Sequence, residues 1–589
     1  MEFENIYNEE TRTRLSTEFP QLSGVTYLDH AGATIYSRSQ LDKVTAELRD
    51  HLFFNPHTSG QAQNRAVKTV ADMRNLVLRH LHADPEEYSV IFTSGATAGM
   101  KIVGECFALS SESSLVIHEE SHTSAMGIRE YALKKGANVK VCETQEFESL
   151  VQKNTTSEAP NLFCFPAMSN FNGRKFPLDW VSCIKKRKTN FVLLDTAAFL
   201  STNNLDLGLI KPDYLVLSFY KMFGYPTGLG ALLVHTSSAN MLVKTYFGGG
   251  TVEMNLVRSN LHVDRRNLCE KFEDGTLDFL GISAIQFGLQ SINEIPGGIK
   301  GISQHTFNLA RYAFYQLSSL KHFNGTNVVQ TYNETAYDDI QTQGGILNFN
   351  ILSTSGFTVG YSDFSRLADL HQVVVRTGCF CNTGSCQKYL GMTDDDIKDN
   401  YEAGHVCGDN VDIIDEKPTG SIRISFGYMS TKDDVDKLVW LVKEYFQQAK
   451  EDGATKASTF SEKEDIKVTG LYVYPIKSCA GIPVQSWPIS EGGLLYDRQW
   501  MVMQGNRVIT QKKEPMLSLI KPSIDLLRKK LVLSFPGESD VEVNLEMVDE
   551  QTECVQSNNV CIGNVCGEEV EGVNCGLEVS SWLEGNPGY

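Results

Sequence analysis

Short apolar runs alternate with amphipathic stretches through the first half of the chain. Tyr88 to Phe92, Ser114 to Ile117, Asn138 to Cys142, Asn161 to Phe165, Phe191 to Leu194 and Leu215 to Leu217 read as strands. Helical spacing fills the intervals, as in Gln63 to His82 and from Met100 onward. This alternation predicts a mostly parallel sheet with helices on both faces. Gly281 to Leu317 reads as helical with a break at Pro296-Gly297-Gly298, and the alternating run Gly344 to Ile351 opens a smaller lobe of the same domain.

Ligands in such sheets collect beyond the carboxyl ends of the strands. His122, Asn170, Asp195 and Lys221 all fall at such ends. Thr93-Ser94-Gly95-Ala96-Thr97 joins a strand to a helix start, where free N–H groups and the helix dipole favour a phosphate. Asp195 follows a buried apolar run and needs a cationic partner, which a protonated pyridine nitrogen would supply. Lys221 lies between two apolar runs in a Ser/Gly-rich loop, where desolvation favours the neutral amine needed for a Schiff base. Lysine, acidic ring partner and phosphate cradle together predict pyridoxal phosphate.

A second stretch, Arg376-Thr377-Gly378-Cys379-Phe380-Cys381-Asn382-Thr383-Gly384-Ser385-Cys386, carries thiols in C-x-C-x4-C spacing. By spacing alone this suits either a metal site completed by Cys407 or His405, or a thiolate nucleophile. The glycine-flanked segment is expected to be a mobile loop that carries sulfur away.

The motifs Tyr27-Leu28-Asp29, Thr93 to Thr97, Asp195-Thr196-Ala197 and Ser218-Phe219-Tyr220-Lys221 resemble those of the class V aminotransferases and cysteine desulfurases. The resemblance implies an α/β, fold-type I pyridoxal-phosphate architecture, usually a homodimer. It implies Lys221 as Schiff-base lysine, Asp195 as ring-nitrogen partner, His122 as stacking residue and Asn170 on the phenolic oxygen. Ala96, Thr97 and Ser218 would hold the phosphate, with Thr276 reaching that of the neighbouring subunit. Cys381 is selected as nucleophile by its distance from Arg376, with Cys379 the competing thiol and Cys386 structural or auxiliary. Arg423, in Gly420-Ser421-Ile422-Arg423, would bind the carboxylate of L-cysteine. The chain departs from the pattern at Tyr220, where desulfurases commonly have histidine, and at Ala198, where they commonly have glutamine.

Beyond the first domain, expected over 1–450, a polar linker spans 451–465 and short alternating strands follow over 466–589. Leu471 to Cys479 and Tyr496 to Met501 resemble the N-terminal β-barrel of MOSC domains. The two parts together resemble the eukaryotic molybdenum cofactor sulfurases. That family's chemistry takes sulfur from L-cysteine through an enzyme persulfide, releases L-alanine and sulfurates the molybdenum cofactor (molybdopterin) of xanthine dehydrogenase and aldehyde oxidase. The sequence ends at Tyr589, where the MOSC domain proper is expected to begin, so this reading takes that domain to be absent from a shortened product or a partial sequence. Competing readings are a general cysteine or selenocysteine desulfurase, and a non-enzymatic cysteine-rich metal-binding scaffold.

Composition narrows these classes. At 589 residues, two or three domains are expected. A net charge of −19 disfavours nucleic acid and anionic membranes as partners. The acidic N-terminus has no apolar core, no apolar run reaches membrane length, and 14 cysteines without a secretory signal predict free thiols in a reducing, cytoplasmic setting. The favoured reading assigns no resident metal.

Overall fold

A computed structural model describes residues 3–56, 63–153, 158–406, 408–449, 468–490, 492–505, 507–511, 514–545, 560–565 and 568–585. The chain divides into two compact units, Met1–Asp452 and Gly453–Tyr589. The linker expected over 451–465 lies outside the described residues.

The first unit is built on a seven-stranded sheet. Its strands are β1 (Tyr88–Thr93), β2 (Ser114–His118), β3 (Asn138–Cys142), β4 (Asn161–Pro166), β5 (Asn190–Asp195), β6 (Tyr214–Ser218) and β7 (Gly230–His235). Their spatial order is β1-β7-β6-β5-β4-β2-β3. All neighbours pair parallel except β7, which runs antiparallel to both β1 and β6. The sheet is therefore mostly parallel, as the apolar pattern predicts. Val192 and Leu194 pack into one apolar cluster and Leu193 into another, so alternate side chains of β5 bury on opposite faces. That is why the strand runs read as continuous apolar stretches.

The smaller lobe holds a five-stranded sheet of β8 (Val329–Thr331), β9 (Ile346–Leu352), β10 (Thr358–Val359), β11 (Arg376–Gly378) and β12 (Ser421–Ser425). The chain's start pairs with this lobe. Thr26 and Tyr27 pair with Val373 and Val374, and Asp29 bridges to Ser425. The helices that matter to the site are α1 (Ala96–Cys106), α2 (Tyr220–Phe223) and α3 (Thr383–Leu390).

The second unit is sheet-rich, as the sequence predicts. Lys521–Asp525, Lys530–Ser534 and Val541–Asn544 form a three-stranded antiparallel sheet. Leu531, Leu533, Val541 and Val543 alternate into its core with Leu517 and Ile520.

Candidate functional site

Strand β6 is buried throughout and delivers Ser218, after which the chain turns into α2 with Lys221 half-buried. Gly224 ends this helix with φ of +81°, and a Cβ there would meet Tyr36 N at 2.3 Å, so no other residue closes the turn as tightly. Burial lowers the Lys221 ammonium pKa, and Arg423 adds to this, while Asp195, Asp29 and Cys381 oppose it. Five of the groups relevant to the chemistry therefore share one field. His122 lies in it too. Burial holds its imidazole below the usual range, with Lys221 and Arg423 acting the same way and Asp195 against.

Thr93 ends β1 and Gly95, at φ +120°, turns the chain into α1. The register places Thr93 and Ser218 both opposite Gly230 of β7. A Cβ on Gly230 would lie 2.4 Å from Leu217 O and 2.6 Å from Gly95 Cα. Ala96 N donates to Ser218 Oγ at 2.9 Å. Thr97 Oγ1 and Ser124 Oγ are 2.8 Å apart, and Ser124 N donates to His122 Nδ1 at 3.1 Å. Ala96, Thr97 and Ser218 thus gather at one helix N-terminus, with His122 joined through Ser124. Ser124 carries no sequence signal beyond a helix start.

Asp195 is 7% exposed, accepts from Ala197 N at 2.9 Å and makes no ion pair with any described residue. A buried carboxylate with no ion-pair partner among the described residues, near a lysine and a helix N-terminus lined by hydroxyls, fits a planar cationic ring bearing a phosphate. The Ala198 methyl packs into the apolar core, and the residue's carbonyl accepts from Ser201 Oγ at 2.6 Å. Tyr220 is half-buried, and burial raises its phenol pKa. Thr276 is exposed; nearby Glu273 accepts from Phe92 N at 2.8 Å and pairs with Arg74, which ties this segment to β1.

Arg423 is buried on β12. Its Nη2 donates to Asp29 Oδ1 at 2.7 Å, its Nη1 to Asn170 O at 2.9 Å, and its guanidinium covers the Phe380 ring at 4.7 Å. Asn170 is brought to the site, but its amide is engaged by the cysteine segment. Nδ2 donates to Phe380 O and Oδ1 accepts from Asn382 Nδ2, both at 2.8 Å.

The cysteine segment corrects two expectations. It is a clamped turn where a mobile loop was expected. Thr123 N holds Cys381 O at 2.8 Å, and Asn382 caps α3 while donating to Glu120 O at 3.0 Å. Fully buried Glu120 accepts from Lys388 at 3.0 Å and Arg174 at 3.3 Å, with Glu334 bridging both cations. A Cβ on Gly384 would lie 2.1 Å from Glu119 O, so α3 rests directly on the end of β2. Secondly, the thiols are not all free. Cys379 and Cys386 form a disulfide, while Cys381 is free and exposed. Two sulfurs offered to a metal are thus bonded to each other. Cys407 lies outside the described residues, among which no group of three or more ligating side chains could hold a metal ion.

Comparison with known proteins agrees with both units. Residues 26–438 match the aminotransferase class-V family model, and residues 465–586 match that of the MOSC N-terminal beta barrel domain. Human molybdenum cofactor sulfurase is 38% identical, covering 96% of this chain and 74% of its own length. Molybdenum cofactor sulfurase 3 of Aedes aegypti is 40% identical, covering 99% and 78%. Among solved structures, a cysteine desulfurase of Thermococcus onnurineus NA1 has a TM-score of 0.60 at 17% identity, covering 74% of this chain and 98% of its own. A cysteine desulfurase of Escherichia coli gives 0.57 at 20% identity, covering 75% and 98%, and both share the fold of the first unit. The chain belongs to the molybdenum cofactor sulfurase family.

Proposed function

We propose that this chain is a pyridoxal-phosphate-dependent molybdenum cofactor sulfurase, which takes sulfur from L-cysteine, releases L-alanine and passes the sulfur to the molybdenum cofactor. The observation that carries the reading is that Lys221, just past the end of β6, shares one field with Asp195 at the end of β5, with Arg423 of β12 and with the free, exposed Cys381. The names of the relatives support the acceptor.

Asp195 would hold the ring nitrogen, the N-terminus of α1 with Thr97 and Ser218 the phosphate, and His122 the ring face. Asn170 would reach the phenolic oxygen by exchanging its contact with Phe380 O. Pyridoxal phosphate, when bound, draws electrons from the substrate Cα and makes the Cβ–S bond labile. Arg423 orients the substrate carboxylate as a charge-assisted donor. Lys221, its protonation disfavoured by burial, moves the proton at Cα. Cys381 as thiolate takes the sulfur and becomes a persulfide.

The active form would be a homodimer, with the exposed Thr276 of each protomer turned to the other's phosphate. The free cysteines support a cytoplasmic setting. Xanthine dehydrogenase and aldehyde oxidase are the enzymes expected to need the sulfurated cofactor. The test is L-alanine release by the pyridoxal-phosphate-loaded chain, with and without molybdenum cofactor. Acceptor-dependent release of alanine and sulfuration of the cofactor are expected. Alanine formation without cofactor sulfuration would make this a general desulfurase, and no alanine would overturn the reading.

A further inference from the structure

Cys379 and Cys386 bracket Cys381 in sequence and are bonded, with their Cα atoms 5.5 Å apart. Cys381 stays free, as do Cys106, Cys142, Cys164, Cys183, Cys269 and Cys479. Cys386 is fully buried on α3 and Cys379 part-buried at the end of β11, and both sulfurs face the Thr419 carbonyl, at 4.0 and 3.3 Å. Phe380 and Cys381 both take positive φ, of 56° and 53°, which turns the chain sharply between the first two thiols. Cys381 is left exposed at the tip, two residues from one member of a pair able to exchange between dithiol and disulfide.

We propose that Cys379 and Cys386 act as an internal dithiol that reduces the sulfur held on Cys381 to sulfide. This rests on the desulfurase reading above. Sulfur reaches Cys381 as the outer, sulfane sulfur of a persulfide. A metal centre that exchanges an oxygen ligand for sulfur without changing its own oxidation state takes sulfide. The difference is two electrons, and forming alanine does not supply them, because that half-reaction already balances with persulfide formation.

The dithiol supplies them in two displacements. Cys379 thiolate attacks the outer sulfur of the Cys381 persulfide. That S–S bond breaks, Cys381 leaves as thiolate and takes up a proton, and Cys379 now carries the sulfur. Cys386 thiolate then attacks Cys379 Sγ. The outer sulfur leaves as hydrosulfide, and the Cys379–Cys386 bond forms. In sum, one persulfide and two thiols give one thiol, one disulfide and hydrogen sulfide. Both cysteines are oxidised and the sulfane sulfur is reduced. The structure corresponds to the state after release, with the pair closed and Cys381 free for another turnover. An external dithiol must reopen the pair by exchange.

The test uses the pyridoxal-phosphate-loaded chain, reduced with dithiothreitol, freed of small thiols under anaerobic conditions and given one equivalent of L-cysteine. Alanine, sulfide, cyanide-labile sulfur and the Cys379–Cys386 peptide are measured together. About one sulfide per alanine is expected, with that disulfide appearing in step. In Cys386→Ser the sulfide-to-alanine ratio is expected to fall to about a tenth or less, the sulfur remaining cyanide-labile. Wild-type chain that forms alanine yet keeps its sulfur as persulfide, with both flanking thiols free, overturns the proposal. So does Cys386→Ser releasing sulfide at the wild-type ratio. If Cys386→Ser does not fold, the wild-type sulfide and peptide results decide alone. Absence of alanine overturns the desulfurase reading and, with it, this inference.

Discussion

Arg423 and Asp29 form a partly buried ion pair, Nη2 to Oδ1 at 2.7 Å, across 394 positions of sequence. Arg423 Nε has no hydrogen-bond partner, so donor capacity remains beside the occupied nitrogens. Arg423→Lys keeps the charge and loses the planar fork. We expect its KM for L-cysteine to rise about 10- to 100-fold, the cost of roughly 1.4–3 kcal/mol of charge-assisted hydrogen bonding. Steady-state alanine formation checks this, and an unchanged KM would remove Arg423 from substrate binding.

Lys221→Ala should abolish the visible absorption of the loaded chain and lower alanine formation by at least about 10²- to 10⁴-fold, the range for losing a positioned proton carrier. A variant that stays yellow would place the covalent lysine elsewhere.

Cys381→Ala should keep the colour and lose sulfur transfer to any acceptor. Cys381 is the free and exposed thiol of the segment. Normal transfer by Cys381→Ala together with failure of Cys379→Ala would reverse the assignment of the first nucleophile.

How much of this was legible beforehand follows the range of each interaction. Strands β1, β2 and β4 to β7 announce themselves because they are buried on both faces, which leaves a largely unbroken apolar run, whereas the edge strand β3 leaves Asn138 and Val141 exposed. Asp195 and Lys221 stand out as polar residues at the ends of such runs. Asp29 with Arg423, and Glu120 with Lys388 across 268 positions, are ion pairs between segments far apart in the chain. No local periodicity carries such pairs. Glu120 simply follows a strand, and only the fold reveals that α3 and its cysteine turn are pinned through it. The antiparallel sense of β7 was equally hidden, since a buried strand has the same apolar signature in either direction.

Glu120→Gln should therefore be felt at the cysteines. The change removes a buried charge from Lys388 and Arg174, and breaking such a network costs about 3–5 kcal/mol. We expect a lower Tm and slower sulfur transfer per alanine formed, read by differential scanning calorimetry and the persulfide assay. A lower Tm with an unaltered transfer rate would confine Glu120 to stability.

Histidines predict an acid-sensitive fold. His118 lies among the rings of Phe147, Phe176 and Trp180, and burial lowers its pKa to about 3, with Arg174 and Lys388 acting the same way. His30 behaves alike at about 3 and His305 at about 4, mainly through burial. Below the unfolded value of about 6.5 the unfolded chain binds protons that the folded chain refuses. Stability is therefore full above that pH and falls as pH drops toward the folded values, by at most about 1.4 kcal/mol per pH unit for each group. His118→Asn should narrow the difference in Tm between pH 7 and pH 5, and an unchanged difference would exclude His118 as a contributor.

Gly230 stands opposite both Thr93 and Ser218, so the loop proposed to face the phosphate and the lysine-bearing helix spring from two strands separated by the width of a single strand. On the proposed reading that strand is a gauge for the cofactor. The span between lysine amine and phosphate donors is set by two ladders of backbone hydrogen bonds and resists adjustment by side-chain rotation. An aldehyde of the same ring lacking its phosphate should consequently bind with much of the lysine chemistry intact but without registry, rocking on its single covalent tether.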